Sequence, residues 1–254
     1  MIKKNKQGMD TRFFCISFAS QSTSLVCMKP AAQDPLAQLT EIRAIMERSS
    51  RFISLSGLSG VGAGVVALVG TVVAHYYLLQ EYGSEQYGAQ GYLRLFQTSM
   101  AERLEALPFL LGLALAMIAA ALLVAAFFTL RRTRRDGLRS LWTAPARRLA
   151  AALFIPLAVG GLFCLKLYLS NAVELVVPGL LVFYGIALLN GSKYTLEEIK
   201  YLGLTQMGLG LLALLAPGYG LLLFGVGFGL GHIGYGLLMY NRYERPAAGA
   251  RSKA

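Results

Sequence analysis

His232 is the residue of this chain best suited to move a proton or hold a ligand: it stands within an apolar run, Tyr219 to Tyr240, and a histidine ordinarily titrates near physiological pH. In hydrocarbon an imidazole costs free energy unless it finds a hydrogen-bonding partner. It therefore serves one of two ends, a proton relay or substrate ligand, or a structural bond to a carbonyl on a neighbouring helix. His75, beside Tyr76 and Tyr77 near the end of another apolar run, is a weaker candidate. Lys166 and Glu174 flank a short connection at Ser170 and Asn171, so folding that hairpin brings opposite charges to similar depth. A salt bridge is the simple expectation, and a charged vestibule leading inward is the alternative. His232, Lys166 and Glu174 are the candidate substrate or proton pathway.

Little else is equipped for chemistry. Cys15, Cys27 and Cys164 lack the spacing of a disulfide framework or a metal site, and neither histidine has a carboxylate near it on its own helix. The sequence contains no G-x-x-x-x-G-K-[ST] phosphate loop, no H-E-x-x-H and no nucleophile elbow, and its Gly-x-Gly runs lie inside an apolar segment instead of following a strand. The chain is expected not to be an enzyme, with no catalytic residues, no cofactor and no metal.

The elements that position these residues are apolar and long. Hydrophobic residues make up 56%, charged residues 15%, and the mean hydropathy is +0.54, which leaves too few polar side chains to cover a water-facing surface. A membrane-spanning helix needs about 20 apolar residues to cross about 30 Å of hydrocarbon. Six runs qualify: Phe52 to Leu79, Leu107 to Leu130, Leu149 to Leu169, Ala172 to Asn190, Leu196 to Ala216, and Tyr219 to Tyr240. The fifth reaches spanning length only if Thr195 and Glu198 form a capping box that starts the helix at Leu196. Ser170-Asn171 and Pro217-Gly218 make tight turns, so the helices they join should pack antiparallel. The predicted fold is an all-α polytopic bundle of six spans.

Arginine and lysine set its orientation, because they are retained on the cytoplasmic side. Lys29, Arg43, Arg48 and Arg51 precede the first span. Arg131, Arg132, Arg134, Arg135, Arg139, Arg147 and Arg148 fill the second loop, Lys193 and Lys200 the fourth, and Arg242, Arg245, Arg251 and Lys253 the tail. The opposite side holds only Arg94 and Arg103. Both termini are expected in the cytoplasm, in a cell inner membrane. The net charge of +11 belongs to this pattern, with no soluble fold to present it to nucleic acid. Arg131, Arg132, Arg134 and Arg135 suit topology determination or contact with anionic lipid, and Trp142 suits an interfacial anchor.

Residues 1–27 resemble a signal peptide only superficially, with Ser17, Ser20, Gln21 and Ser22 interrupting the apolar part; a disordered tail or a true start at Met28 is favoured. Residues 28–51 hold an amphipathic lead-in helix, capped by Asp34 with Pro35 at its first position, that places Leu39, Ile42, Met46 and Ile53 on one face. Residues 52–245 form the transmembrane domain, and 246–254 a disordered tail. In the external loop Gln80 to Ala106, Leu93, Phe96, Met100, Leu104 and Leu107 form a stripe that predicts a surface-lying helix, while Tyr76, Tyr77, Tyr82, Tyr87 and Tyr92 suit an aromatic belt.

Eight glycines between Gly218 and Gly236 mark the sixth span. At about 100° per residue, Gly218, Gly225, Gly229 and Gly236 fall on one side, and Gly220, Gly227, Gly231 and Gly234 nearly opposite. Two grooves of small residues predict a central helix gripped from both sides, with the first span, carrying Gly57, Gly60 and Gly64, as one neighbour. His232 is expected to project from the first groove. Pro156 and Pro178 lie inside the third and fourth spans, where kinks can line a cavity.

The stretch Asn190-Gly191-Ser192-Lys193-Tyr194-Thr195-Leu196, the later Tyr201-Leu202-Gly203-Leu204 and the lead-in Asp34-Pro35-Leu36 resemble an uncharacterised family of bacterial multi-pass inner-membrane proteins with no assigned activity. The resemblance covers roughly Met28 to Arg245 and implies location alone. The leading functional expectation is a small-solute or ion transporter or channel-like protein, oligomeric, with its pathway beside the sixth helix. The alternative is a membrane-embedded interaction or regulatory protein that presents its lead-in helix and arginine-rich loop to a protein partner. Membrane lipids are the expected partners, a homo-oligomer is possible, and nucleic acid is not expected.

Overall fold

The computed structural model describes residues 56–83, 91–135 and 143–244, all of them in helices or the turns between helices, with no strand among the described residues. The lead-in helix, residues 1–27, Tyr87, Trp142 and the tail from 246 lie outside the described residues. In chain order the helices are α1 (Gly57–Tyr82), the single turn α2 (Gly91–Arg94), α3 (Met100–Arg135), α4 (Ala144–Leu169), α5 (Val176–Gly191), α6 (Glu198–Leu215) and α7 (Pro217–Glu244).

Five helices are long and apolar enough to cross a membrane: α1, α3, α4, α5 with its flanking turns (Val173–Tyr194), and α7. The fifth predicted run is the exception. α6 has 18 residues and carries Glu198, Lys200 and Gln206, and it starts two residues later than Leu196. Thr195 is extended (φ −143°, ψ −152°), and the carbonyls of Leu196 and Glu197 receive the first bonds, from the N–H groups of Ile199 and Lys200.

The surface-lying helix predicted over Leu93 to Leu107 is not one helix. The chain turns after Arg94 and restarts at Met100, where Ser99 N–H donates to Glu102 Oε2 and Glu102 N–H donates back to Ser99 Oγ, each at 3.3 Å. That reciprocal capping box launches a 36-residue helix that continues through the second apolar run to Arg135. The non-helical residues before it break the phase on which the stripe depended. Met100 and Leu104 are exposed, whereas Tyr92, Leu95, Arg103 and Ala106 are buried.

Local chemistry explains the other boundaries. Thr143 caps α4 by accepting from Ala146 N–H, with a proline in the first turn. α4 ends in a 6→1 bond from Ala172 N–H to the Leu167 carbonyl, which requires a left-handed residue between them; Asn171, at φ 65°, supplies it. This is the tight hairpin expected at Ser170 and Asn171.

Packing follows small residues. α5 lies against α4 and α6, and α1 lies against α3 and α7. A Cβ on Gly64 would stand 2.6 Å from the Gly229 carbonyl oxygen, and one on Gly236 would stand 2.6 Å from Val61 N and 2.7 Å from Gly57 O. Backbones of α1 and α7 therefore touch, as the glycine spacing predicts. Gly227 meets Gln206 and Leu181 on the opposite flank, and Gly231 meets Leu202, so α7 sits between α1 and the α5–α6 pair. Gly185 and Gly203 bring α5 and α6 equally close, each aimed at the other's carbonyl.

Outward faces are apolar. Leu122, Leu123, Phe154, Leu162 and Leu215 are all more than 60% exposed, a surface that suits lipid and not water. Adding a methyl group where backbones touch should be costly, so Gly236→Ala is expected to lower the thermal midpoint in detergent by the equivalent of about 2 kcal/mol or more. Gly234→Ala, with nothing within 4 Å of its added Cβ, should leave the midpoint unchanged in the same assay.

Candidate functional site

Gln206 is fully buried in the middle of α6 and donates from Nε2 to the Gly227 carbonyl of α7 at 2.7 Å. The same carbonyl lies 3.4 Å from His232 Nδ1, and His232 Nε2 lies 2.6 Å from the Tyr184 hydroxyl of α5. Polar atoms from three helices thus converge in an otherwise apolar interior. Leu181 and the rings of Phe224 and Phe228 surround them.

The conformation of α7 makes this convergence possible. Gly225–Gly231 is π-helical, with bonds from i to i+5, between α-helical segments Gly220–Phe224 and His232–Met239. Such turns hold an extra residue, rotate everything beyond them and are frequent at functional sites. Four glycines in seven residues give this stretch little side-chain packing of its own to lose. The rotation corrects one expectation: His232 does not project from the groove that faces α1. Its side chain turns toward Tyr184, while its carbonyl lies near Gly60.

Hydrogen-bond directions follow from the partners. A carbonyl can only accept, so Nδ1 of His232 carries the proton toward Gly227, leaving Nε2 to accept from the Tyr184 hydroxyl. A neutral imidazole is fully satisfied in this arrangement. Because Tyr184 Oη can also accept, a proton arriving at Nε2 requires only rotation of one hydroxyl. The buried Gln206 Oε1 has no hydrogen-bond partner among the described residues, and a Cβ at Gly227 would lie 2.5 Å from it. The arrangement offers one exchangeable proton position and one open acceptor. Among the described residues no three His, Cys, Asp or Glu side chains stand together as metal ligands.

Lys166 and Glu174 do not join this site, and they do not pair with each other. The ion pairs given by the described residues are Arg132–Glu244 and Arg242–Glu198. Lys166 is exposed on α4, whereas the short 3₁₀ turn Val173–Leu175 carries Glu174 toward Tyr92. Burial and the nearby Glu174 carboxylate raise the Tyr92 phenol above its ordinary range. The hairpin brings the charges near in sequence, but Glu174 lies close to Tyr92 and not to Lys166. His75 is exposed near the far end of α1 and also stands apart.

Of the clustered arginines, Arg131 and Arg134 are exposed while Arg132 is engaged. Arg132 Nη1 donates to Glu244 Oε1 at 3.1 Å, and Glu244 also accepts from Gly57 N–H and from Ser56 Oγ. A carboxylate from the end of α7 thereby caps the start of α1, with the end of α3 attached. On the other flank, Glu198 at the start of α6 accepts from Arg242 at 3.0 Å and from the Tyr243 hydroxyl at 2.8 Å. These clamps hold the end of α7 against both neighbours.

Replacing Tyr184 by Phe strands His232 Nε2 without a donor, and the expected loss is about 1–3 kcal/mol in detergent unfolding. In a double-mutant cycle the cost of Tyr184→Phe should largely vanish once His232 is Phe, since both changes remove the same bond. No protein-family model matches the chain, and neither does any curated protein or solved structure.

Proposed function

We propose that this is an inner-membrane protein that crosses the bilayer six times with both termini in the cytoplasm, and that it transports a small solute or ion by movement of α7 with proton exchange at His232. The observation that carries this reading is the Tyr184–His232–Gly227–Gln206 network, built on a π-helical, glycine-rich stretch flanked on both sides by close helix contacts. Small residues on both flanks let a helix shift without losing large interlocked side chains, and converting a π turn to an α turn would re-aim His232. An ionisable residue at depth in such a helix is a functional candidate by default.

Support for α6 as a sixth crossing comes from its ends. Glu198 meets Arg242 and Tyr243 at the rim where Glu244 joins Ser56 and Arg132, while the turn after α6 places Gly218 against Leu93 at the rim with α2. The arginine-rich connections share the former rim, which the charge rule puts in the cytoplasm.

The interaction reading draws on a different observation: no residue in the most apolar stretch of α3 is buried, and α3 leans chiefly on α1. That leaves one complete helix face for a partner or a second copy.

Topology is tested by single cysteines in a chain whose native cysteines are replaced. Ser170→Cys should be labelled by an impermeant reagent on intact cells, and Arg147→Cys should be labelled only after lysis; the reverse pattern would refute the orientation. For transport, proteoliposomes carrying the protein should show a flux coupled to a proton gradient that His232→Ala abolishes. A flux that persists in the variant removes this histidine from the mechanism.

A further inference from the structure

Arg103 lies in the first turn of α3, at the end of the bundle away from the basic loops, and it is 3% exposed. A guanidinium taken out of water is costly unless an anion and a full set of acceptors replace the water. Here the replacement is incomplete. Nη1 donates to Asn171 Oδ1 of the α4–α5 hairpin, and Nη2 has only the weak acceptor Met100 Sδ, at 3.9 Å. Nε is buried with no partner, and no carboxylate pairs with Arg103 among the described residues. Asn171 is itself fixed by its left-handed backbone, and the Tyr168 hydroxyl holds the Arg103 carbonyl at 2.9 Å. Asn171 therefore holds the guanidinium, and Tyr168 holds the backbone from which it projects.

The unoccupied donors are on one edge. Nε–H and the adjacent Nη2–H of an arginine point the same way, at the spacing of two oxygens of a carboxylate. Glu102, the nearest acid in sequence, is turned back onto Ser99 N–H by the capping box and is not available to Arg103. Met100 stands over Nη2; it is 42% exposed, and its unbranched thioether can swing aside at little cost.

We propose that the Nε–Nη2 edge of Arg103 is a binding site for the carboxylate of a small solute on the face of the protein away from the basic loops. Met100 covers the site when it is empty, Asn171 orients the guanidinium, and Tyr168 fixes the Arg103 backbone. It shares no residue with the His232 network, and binding there does not depend on α7 moving.

The test uses the full chain in phosphatidylcholine nanodiscs, with acetate as the probe and chloride balancing ionic strength. Chloride has the charge but not the paired oxygens, so a difference between the two anions reports the bidentate edge. The thermal midpoint of the unaltered protein should rise saturably with acetate. Arg103→Lys, which keeps the charge and loses the fork, should weaken the apparent affinity by about tenfold or more. Met100→Ala, which uncovers Nη2 and leaves the anchors intact, should tighten acetate binding several-fold, and it carries the test if the lysine variant fails to fold. No saturable acetate effect in the unaltered protein, an equal effect in Arg103→Lys, or unchanged affinity in Met100→Ala would each overturn the site. A midpoint that instead follows the phosphatidylglycerol content of the disc, without responding to acetate, would assign the edge to a lipid headgroup and overturn the solute proposal.

Discussion

Direct contact between the backbones of α1 and α7 is the constraint on which the rest of this bundle depends. Lipid chains are as apolar as leucine, so helices in a bilayer gain little from hiding hydrophobic surface and must be held by close packing and polar bonds. Gly57 and Gly64 on α1 meet Gly236 and Gly229 on α7 at distances that leave no room for a methyl group. Glu244 then fixes the register of the two helices by bonding the first turn of α1. Once α7 is seated there, its opposite flank is presented to α5 and α6, and the partners of His232 and Gln206 follow.

The same contact accounts for the contrast between the inner and outer helices. α6 and α7 bury Gln206 and His232, with Gln206 Nε2 and both His232 nitrogens answered by a neighbouring carbonyl or hydroxyl. α3 and α4 turn large aliphatic side chains outward, and Phe154, Leu162 and Leu123 have no protein over much of their surface. The two carboxylate clamps at the C-terminal turn of α7, Glu244 toward α1 and Glu198 from α6, hold that end, whereas the π-helical middle is held by the bonds at the Gly227 carbonyl and by the Phe228 ring.

Much of the bundle was legible in the sequence, because apolar length and glycine spacing act directly on helix formation and helix contact. The runs ending at Leu79, Leu130, Leu169, Asn190 and Tyr240 all appear as helices, and the pairing of Gly57, Gly60 and Gly64 with the last helix was visible from a period of about 3.6 residues. That period also misled. It assumes an unbroken α-helix, so it failed at Ser99, where a capping box resets the phase of Leu93 to Leu107, and at Gly225–Gly231, where π turns rotate His232 toward Tyr184. Gln206 is visible in the sequence as a lone amide in an apolar run, but nothing there gives its acceptor. Tyr184 could not be singled out, because its role depends on a partner 48 residues away.

One consequence of the sparse hydropathy of α6 concerns how the protein is made. On the six-crossing topology proposed above, α6 leaves the ribosome before α7 exists, carrying an amide whose acceptor is the Gly227 carbonyl. Partitioning of Gln206 into lipid alone is unfavourable, and α6 is also the shortest of the long helices apart from the core of α5. Insertion of α6 would then wait on its successor, the two entering together as a hairpin about Pro217–Tyr219, with α5 already in place to receive them. Biogenesis of this chain would thus be stepwise through α5 and concerted thereafter.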